Sequence, residues 1–320
     1  MQNKITEYCT SLGLELIGFI PYRRFTELVP YFLHRKNNSL EIEFEEADIE
    51  KRIDAKYQME GVKTIISIAF PYNDNQSVNN GFSIYTQRLD YHIVVKSYLD
   101  KICEHISTLG GEAIGLVDSN PLPERYIAYL AGLGTIGKNN LLITKKYGSY
   151  VFLGEILTNL SINCEEKNDI KNILTYSQCG TCQVCEYKCP SNCTQNANTS
   201  KCLSYLTQKK HITLDEISLL QGNIFGCDLC QINCPQNQQI NYSTVDDFKS
   251  LDYMANPYHN YATIDNKFFR DYLKKTSCGW RGKNIIQRNA IIAMDRANQN
   301  ITQLDINSQY VKDYVTMLKL

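Results

Sequence analysis

The sequence has no uninterrupted apolar run of about 18 residues, the length at which a membrane-spanning helix becomes a candidate. Its first residues also lack the basic segment followed by a long apolar segment that forms a secretory signal. Charge of one sign is not in excess, since the formal net charge is -1, and the chain as a whole does not attract phosphate. These absences predict a cytoplasmic protein without membrane contact, and they confine any nucleic-acid surface to a local patch.

The composition is that of an ordinary folded protein, with 43% hydrophobic and 21% charged residues in a chain of 320. Segments typical of strands and helices alternate over residues 1–165, which predicts an α/β domain. Residues 166–245 contain most of the cysteines and form a second predicted domain. Residues 246–320 end in two segments of helical periodicity, so we expect a helical C-terminal segment.

Seven of the thirteen cysteines form two interlocking motifs, and an eighth, Cys202, lies between them. The pattern C-x2-C-x2-C-x3-C-P, and the pattern C-x2-C-x3-C-P that follows it, are typical of two [4Fe-4S] clusters, and the fourth cysteine of such a run ligates the other cluster. We therefore predict that one cluster is held by Cys179, Cys182, Cys185 and Cys234, and the other by Cys189, Cys202, Cys227 and Cys230. Cys202 is displaced from the position that a plain two-cluster ferredoxin uses.

A zinc site and a disulfide framework are the alternative interpretations of these cysteines. Both are less favoured, because zinc sites use tetrahedral sets of four rather than two interlocked runs. The five remaining cysteines are scattered, and we predict ordinary thiols at Cys9, Cys103, Cys164, Cys193 and Cys278.

The glycines Gly132, Gly134 and Gly137 match the dinucleotide-binding pattern G-x-G-x-x-G. The match lies in the wrong context, because it follows the helical segment RYIAYLA rather than a strand, and no acidic residue ends a second strand at the expected distance. The glycines are therefore predicted to let backbone pack against some other flat ligand or to form a turn.

Asp118 ends the predicted strand EAIGLVD, and Glu124 and Arg125 open the next predicted helix. Because ligands bind at strand ends in α/β proteins, Asp118 is a candidate for proton transfer. The alternative is structural, with Asp118 capping the turn and pairing with Arg125.

Several long strings in this sequence, taken together and in this order, resemble epoxyqueuosine reductases. They are RLDYH (88–92), VDSNPLPERYIAYLAGLGTIGKNNLLI (117–143), SYVFLGEILTNL (149–160), CGTCQVCEYKCP (179–190), CLSYLTQ (202–208), IFGCDLCQINCPQN (224–237) and GWRGKNIIQRNA (279–290). The resemblance implies a cobalamin-binding α/β domain similar to that of reductive dehalogenases, a ferredoxin-like module with two [4Fe-4S] clusters and a short HEAT-like helical segment. It also implies reduction of epoxyqueuosine at the tRNA wobble position to queuosine.

The resemblance assigns roles to individual residues. Asp118 falls on the proton donor, and to act as an acid near neutral pH its pKa would have to be raised by a dry pocket. Arg125 falls on the arginine that contacts the substrate. Cobalamin contacts are expected at Arg52, Asp90, Tyr91, Asp118, Gly134, Lys138, Asn139, Leu153, Asp228 and Gln231. Contacts to tRNA phosphates are expected at Lys209, Lys210, Arg281, Lys283 and Arg288.

No D-x-H-x-x-G cobalamin motif occurs, so a histidine ligand to cobalt by that route is not expected, and the five histidines are predicted to have surface roles. Longer family members continue into HEAT-like repeats, whereas this sequence stops about 40 residues after Trp280 and resembles a short form. The expected partners are tRNA and a reductant such as flavodoxin or ferredoxin, and we expect a monomer. A dehalogenase-like reductase of small molecules and a two-cluster electron carrier remain as alternatives.

Overall fold

The computed structural model describes residues 1–170, 179–195 and 198–319. The helices in these ranges are α1 (Gln2–Ser11), α2 (Val29–Asn37), α3 (Ile49–Ile53), α4 (Tyr91–Thr108), α5 (Glu124–Leu130), α6 (Val184–Lys188), α7 (Leu203–Leu206), α8 (Leu214–Leu219), α9 (Leu229–Ile232), α10 (Asn266–Asp271), α11 (Lys283–Arg296) and α12 (Gln309–Met317). The strands are β1 (Leu16–Pro21), β2 (Thr64–Pro71), β3 (Ala113–Leu116), β4 (Thr135–Ile136), β5 (Leu142–Ile143) and β6 (Val151–Thr158). None of these helices combines the length and the apolar character that crossing a membrane requires.

Four strands form the central sheet in the order β1-β2-β6-β3, and every neighbouring pair is antiparallel. The predicted alternation of strands and helices is confirmed. Strand β2 is buried along its whole length because both faces of the sheet are covered. Alternate residues face opposite sides, so Ile65 packs into a core with α5 whereas Ile66 packs into a core with α1 and α4. The sheet therefore presents the loop after β3 at one edge, where Asp118 lies.

The C-terminal helices α11 and α12 contact each other, as their periodicity predicts. Their core is completed by residues from distant parts of the chain, including Phe82 from the loop before α4 and Phe225 from the cysteine-rich part. These two residues also form an isolated parallel bridge. The cysteine-rich and C-terminal parts therefore pack against the loop that precedes α4.

The glycine-rich motif forms a turn, which is one of the two roles that the sequence predicts for it. Gly132 follows α5 in a left-handed conformation with a φ of 80°. A Cβ atom on Gly134 would lie 2.3 Å from the carbonyl oxygen of Ile143, so only glycine lets β4 approach β5 here. The motif forms a turn and a close backbone contact.

Arg88 is a buried charge that joins two distant segments. Its residue surface is 0% exposed, and its guanidinium donates to the carbonyl oxygens of Ile84 and Phe248, the latter at 3.0 Å. It also forms an ion pair with Asp74 at 3.0 Å and donates to Ser250 Oγ at 3.2 Å. Since a buried guanidinium needs this full set of partners, Arg88 fixes the segment before α4 against residues 248–250.

We predict that Arg88→Ala lowers the thermal midpoint of the protein by about 5 to 10 °C, because it leaves the Asp74 carboxylate without its buried partner. Anaerobic differential scanning fluorimetry measures this change. Arg24→Ala is the matched control, since Arg24 forms ion pairs with Glu50 and Asp54 but its side chain is 43% exposed. Equal midpoints for the two variants would contradict the role given to Arg88.

Candidate functional site

Asp118 lies in a tight loop between β3 and α5. Its backbone has a φ of 49°, an uncommon conformation for a residue other than glycine. The loop is held by Glu124, whose Oε1 accepts hydrogen bonds from the backbone N–H of Asp118 at 2.7 Å and from Asn120 Nδ2 at 2.8 Å. The predicted role of Glu124 as the start of the helix is confirmed, and Glu124 also positions the aspartate.

The carboxylate of Asp118 meets two side chains from the start of α4. Its Oδ2 accepts a hydrogen bond from Tyr91 Oη at 2.7 Å and lies 3.1 Å from His92 Nε2. The other ring nitrogen, His92 Nδ1, lies 2.8 Å from Oδ1 of Asp90, which also caps α4 by accepting from the His92 backbone. The Asp118 side chain is 56% exposed, and both of these contacts use Oδ2, so Oδ1 is available to a substrate.

The proton at this site resides on His92 rather than on Asp118. Burial would lower the pKa of His92, but hydrogen bonds to Asp118 and Asp90 outweigh it and raise the pKa to about 9. Burial would raise the pKa of Asp118, yet hydrogen bonds from His92 and Tyr91 hold that pKa below its usual value. The pKa of Asp118 is therefore lowered in this structure, whereas an acid that acts near neutral pH needs a raised pKa. His92, predicted to have a surface role, is partly exposed and its ring lies between the carboxylates of Asp90 and Asp118.

Two further carboxyl groups lie beneath this loop. Glu155 on β6 is 0% exposed, and within the described residues neither of its carboxyl oxygens has a hydrogen-bond partner. Burial raises its pKa well above the usual range, and the charge of neighbouring Glu124 raises it further. Burial, followed by the charge of Asp118, raises the pKa of Glu124 to about 7. The Glu124 and Glu155 pair therefore retains a proton at neutral pH. The sequence feature that could have revealed this pair is the single acidic residue within the apolar strand VFLGEILT.

The hairpin of β4 and β5 connects the Asp118 loop with the cysteine-rich part. Arg125 donates to the carbonyl oxygen of Asn140. From the same hairpin, Lys138 Nζ donates to the carbonyl oxygen of Cys182 at 2.9 Å, and Asn139 Nδ2 donates to that of Cys230 at 3.4 Å. Both cysteine motifs are thus joined to the segment that Arg125 holds.

The thiols predicted for the first cluster lie together. Burial raises the pKa of the Cys185 thiol to about 11, and Cys179, Cys234 and Cys182 are close enough for their charges to raise it further. The contact between α6 and α9 brings the two motifs side by side. This set suits a [4Fe-4S] cluster, because four thiols from two interlocked motifs lie near one another.

The thiols predicted for the second cluster also converge. Burial raises the pKa of Cys227 to about 12, and the charges of Cys202 and Cys189 contribute to that increase. Burial likewise raises the pKa of Cys230, and the charges of Cys227 and Cys202 raise it further. A fifth thiol is present, since Cys193 Sγ lies 3.4 Å from Cys189 Sγ. Cys193, which the sequence predicts to be an ordinary thiol, thus lies beside the second set.

Comparisons with known proteins agree with this geometry. A family model described as epoxyqueuosine reductase QueG, DUF1730, matches residues 52–119, and one described as a 4Fe-4S double cluster binding domain matches residues 178–237. An epoxyqueuosine reductase from Lactococcus garvieae is 31% identical over 98% of this chain and 93% of its own length. The chain belongs to the epoxyqueuosine reductase family. The family resemblance inferred from the motifs is confirmed, and the double cluster domain favours iron-sulfur clusters over zinc or disulfides.

Two solved structures of epoxyqueuosine reductases have the same fold. One, a crystal structure with an epoxyqueuosine-modified tRNA-Tyr stem loop, is 29% identical, has a TM-score of 0.84 and covers 92% of this chain and 80% of its own. Another, from Bacillus subtilis, is described with an aspartate catalytic loop swung out of the active site. It is 28% identical, with a TM-score of 0.82 and the same coverage of both chains.

Several residues predicted to contact cobalamin have structural roles in this family member. Arg52 forms ion pairs with Glu41 at 2.9 Å and Glu45 at 3.3 Å, so its positive charge is balanced by carboxylates within the protein. Asp228 and Gln231 are buried, and Asp228 accepts from the backbone of Ile84 at 2.6 Å.

Gln231 Oε1 accepts from Ser149 Oγ at 3.0 Å, so Asp228 and Gln231 join the cysteine-rich part to the first domain. Leu153 packs against the α5 core, and Gly134 makes the backbone contact described above. Asp90, Tyr91, Lys138 and Asn139 remain, and all four lie beside Asp118 or beside the cluster motifs.

Some of the residues predicted to contact tRNA have structural contacts within the protein, whereas others are exposed. Arg288 is 0% exposed and donates to the carbonyl oxygens of Lys209 at 2.8 Å and Lys210 at 3.1 Å, so the prediction of a phosphate contact is wrong for it. Lys209 is paired with Glu216 at 2.7 Å. Arg281 donates to the carbonyl oxygen of Gln208 and lies over the ring of Trp280. The Lys210 side chain is exposed, and Lys283 is partly exposed.

We predict that Glu155→Gln makes thermal stability less sensitive to pH. The folded-state pKa of Glu155 is raised, so its contribution is fully present below the unfolded pKa and is lost as pH rises. The thermal midpoint of the wild type should fall more steeply than that of Glu155→Gln between about pH 5 and about pH 8. Glu112→Gln is the control, since Glu112 is exposed. Parallel curves for wild type and Glu155→Gln would show that Glu155 is not protonated.

Proposed function

We propose that this chain reduces epoxyqueuosine in tRNA to queuosine. The observation that carries the proposal is the hydrogen-bonded Asp118 and His92 pair, which holds a proton beside a hairpin that contacts both cluster motifs. Converting the epoxide to an alkene consumes two electrons and two protons and releases the oxygen as water. A site for this reaction must therefore bring a proton source and an electron source to one place.

Electrons are proposed to reach this site through the two clusters, each of which carries single electrons. The proposed external donor is a flavodoxin or a ferredoxin. Cobalamin, when bound, supplies a metal centre at which reducing power meets the substrate. Tyr91, Lys138 and Asn139 would hold it, because they offer a phenol, an ammonium and an amide on the side of the molecule that links Asp118 to the cysteines.

The proton path uses residues of this chain. Asp118 is proposed to receive a proton at Oδ2 from His92 Nε2, which lies 3.1 Å away. The carboxyl group, once protonated, gives this proton to the epoxide oxygen, and the second proton that the release of water requires comes from solvent. Asp90 on Nδ1 stabilises the charged form of His92. Arg125 is proposed to orient the modified nucleoside or its phosphate.

The tRNA is proposed to bind across the face formed by Lys210, Lys283, Arg281 and Trp280. The Trp280 ring is 55% exposed and stands beside the Arg281 guanidinium, which suits stacking on an unpaired base. Arg288 supports this face from below by fixing the backbone of Lys209 and Lys210. The tRNA stem loop bound by a similar reductase supports this assignment.

We predict that Asp118→Asn lowers the single-turnover rate by about 100-fold or more, because the amide cannot donate the proton at this step. His92→Gln should lower the single-turnover rate by about tenfold or more. As pH rises, conversion by this variant should begin to decline at a lower pH than conversion by the wild type. In the wild type the decline should follow loss of the His92 proton near a pKa of about 9. Anaerobic single-turnover assays across pH, with nucleoside analysis by mass spectrometry, measure both effects.

His105→Gln is the matched control for His92→Gln, since His105 lies on the same helix and stacks on Tyr8 instead. An unchanged pH profile in His92→Gln would remove His92 from the proton path. Full activity in Asp118→Asn would remove Asp118 as the donor.

We predict that Lys210→Ala weakens binding of an epoxyqueuosine-containing stem loop and reduces the slope of log affinity against log salt by about 1. The reason is the loss of one phosphate contact, with the backbone still held by Arg288. Fluorescence anisotropy at several salt concentrations measures the slope. Lys4→Ala on α1 should leave affinity and slope unchanged. The same slope in Lys210→Ala and wild type would place the tRNA elsewhere.

A further inference from the structure

The second cluster site contains more thiols than a cluster needs. Cys189, Cys202, Cys227 and Cys230 are the four proposed ligands, and each [4Fe-4S] cluster takes four thiolates. The Cys193 thiol lies among them, with its Sγ 3.4 Å from Cys189 Sγ and within hydrogen-bonding reach of the Cys202 sulfur. Five thiols therefore surround a position that requires four.

The backbone holds Cys193 in this position. Asn192 adopts a left-handed conformation with a φ of 53°, and its N–H donates to the carbonyl oxygen of Cys189 at 3.1 Å. This tight turn directs the chain back, so that the side chain of Cys193 reaches the sulfur of Cys189. The N–H of Asn198 then donates to the carbonyl oxygen of Cys193 at 2.9 Å. Hydrogen bonds on both sides of Cys193 thus keep its thiol at the cluster site.

Cys202 is the better fit for the resident ligand. It directly precedes α7, and its sulfur lies near the backbone N–H groups of Ser204 and Tyr205. Donors of this kind stabilise a thiolate. For Cys193 the described contacts of the sulfur are with the thiols of Cys189 and Cys202. Cys193 and Cys202 also approach the site from the same connecting segment between the two motifs, so they are alternatives for one corner of the cluster.

We propose that Cys193 is a reserve ligand of the second cluster, able to bind the iron that Cys202 normally binds. This inference rests on the cluster ligands proposed above. In the exchange, the bond between iron and the Cys202 sulfur breaks, a bond between iron and the Cys193 sulfur forms, and the proton of Cys193 passes to Cys202. No electron is transferred, and the cluster keeps its composition. The site could therefore retain its cluster when Cys202 is modified or replaced.

Iron and acid-labile sulfide content after anaerobic reconstitution tests this proposal without any assay of tRNA reduction. The wild type and Cys193→Ala should each bind about eight iron atoms per chain, four for each cluster. Cys202→Ala should also bind about eight, with an altered electron paramagnetic resonance spectrum of the reduced second cluster. The double variant lacking both Cys193 and Cys202 should bind about four, because only the first cluster remains.

A double variant of Cys164→Ala with Cys202→Ala is the matched control, since it removes a thiol outside the cluster sets and should keep about eight iron atoms. If Cys202→Ala binds only about four iron atoms, as the double variant lacking both Cys193 and Cys202 should, Cys193 is not a ligand and the proposal is overturned. If Cys202→Ala is insoluble, Cys202→Val gives the same comparison, because valine is close to cysteine in size and has no atom that can bind iron. Fewer than about eight iron atoms in the wild type would instead overturn the two-cluster assignment, whatever Cys193 does.

Discussion

The contact between the carboxylate of Asp118 and the ring of His92 is the interaction on which the proposed chemistry depends. An isolated aspartate at an exposed loop would be ionised at neutral pH and would have no proton to give. Here the proton is stored on the histidine, which two carboxylates hold in its charged form, at 3.1 Å from Asp118 and 2.8 Å from Asp90. The acid is thus a pair rather than a single residue.

The rest of the fold brings this pair to its place. Helix α4 begins at the residues that meet Asp118, and Asp90 both caps that helix and binds the ring of His92. On the other side, Glu124 fixes the strained backbone of Asp118. The short hairpin after α5 then contacts both cysteine motifs, so proton source and cluster domain share one connecting element. The buried Glu124 and Glu155 pair adds a second protonated group directly below the loop.

The sequence alone predicted those features that depend on local pattern. Cysteine spacing led to the two thiol sets, periodicity indicated the two C-terminal helices, and the context of the glycine motif indicated a turn. Features that depend on tertiary contact were missed. His92 is an ordinary residue in the sequence, and only the packing of α4 against the loop after β3 makes it part of the site. Arg288 was predicted on the surface because it is charged, yet it is buried and its guanidinium donates hydrogen bonds to backbone carbonyl groups. Cys193 was dismissed because its spacing fits no motif, whereas the turn at Asn192 brings it to the cluster.

The most direct test of the account is anaerobic reduction of an epoxyqueuosine-containing tRNA stem loop by the reconstituted wild-type protein, with and without cobalamin. We expect the modified nucleoside to lose one oxygen atom, two electrons to be consumed for each nucleoside converted, and conversion to require cobalamin. Protein with two intact clusters and bound cobalamin that leaves the stem loop unchanged would contradict this expectation, and would direct attention to a small-molecule substrate.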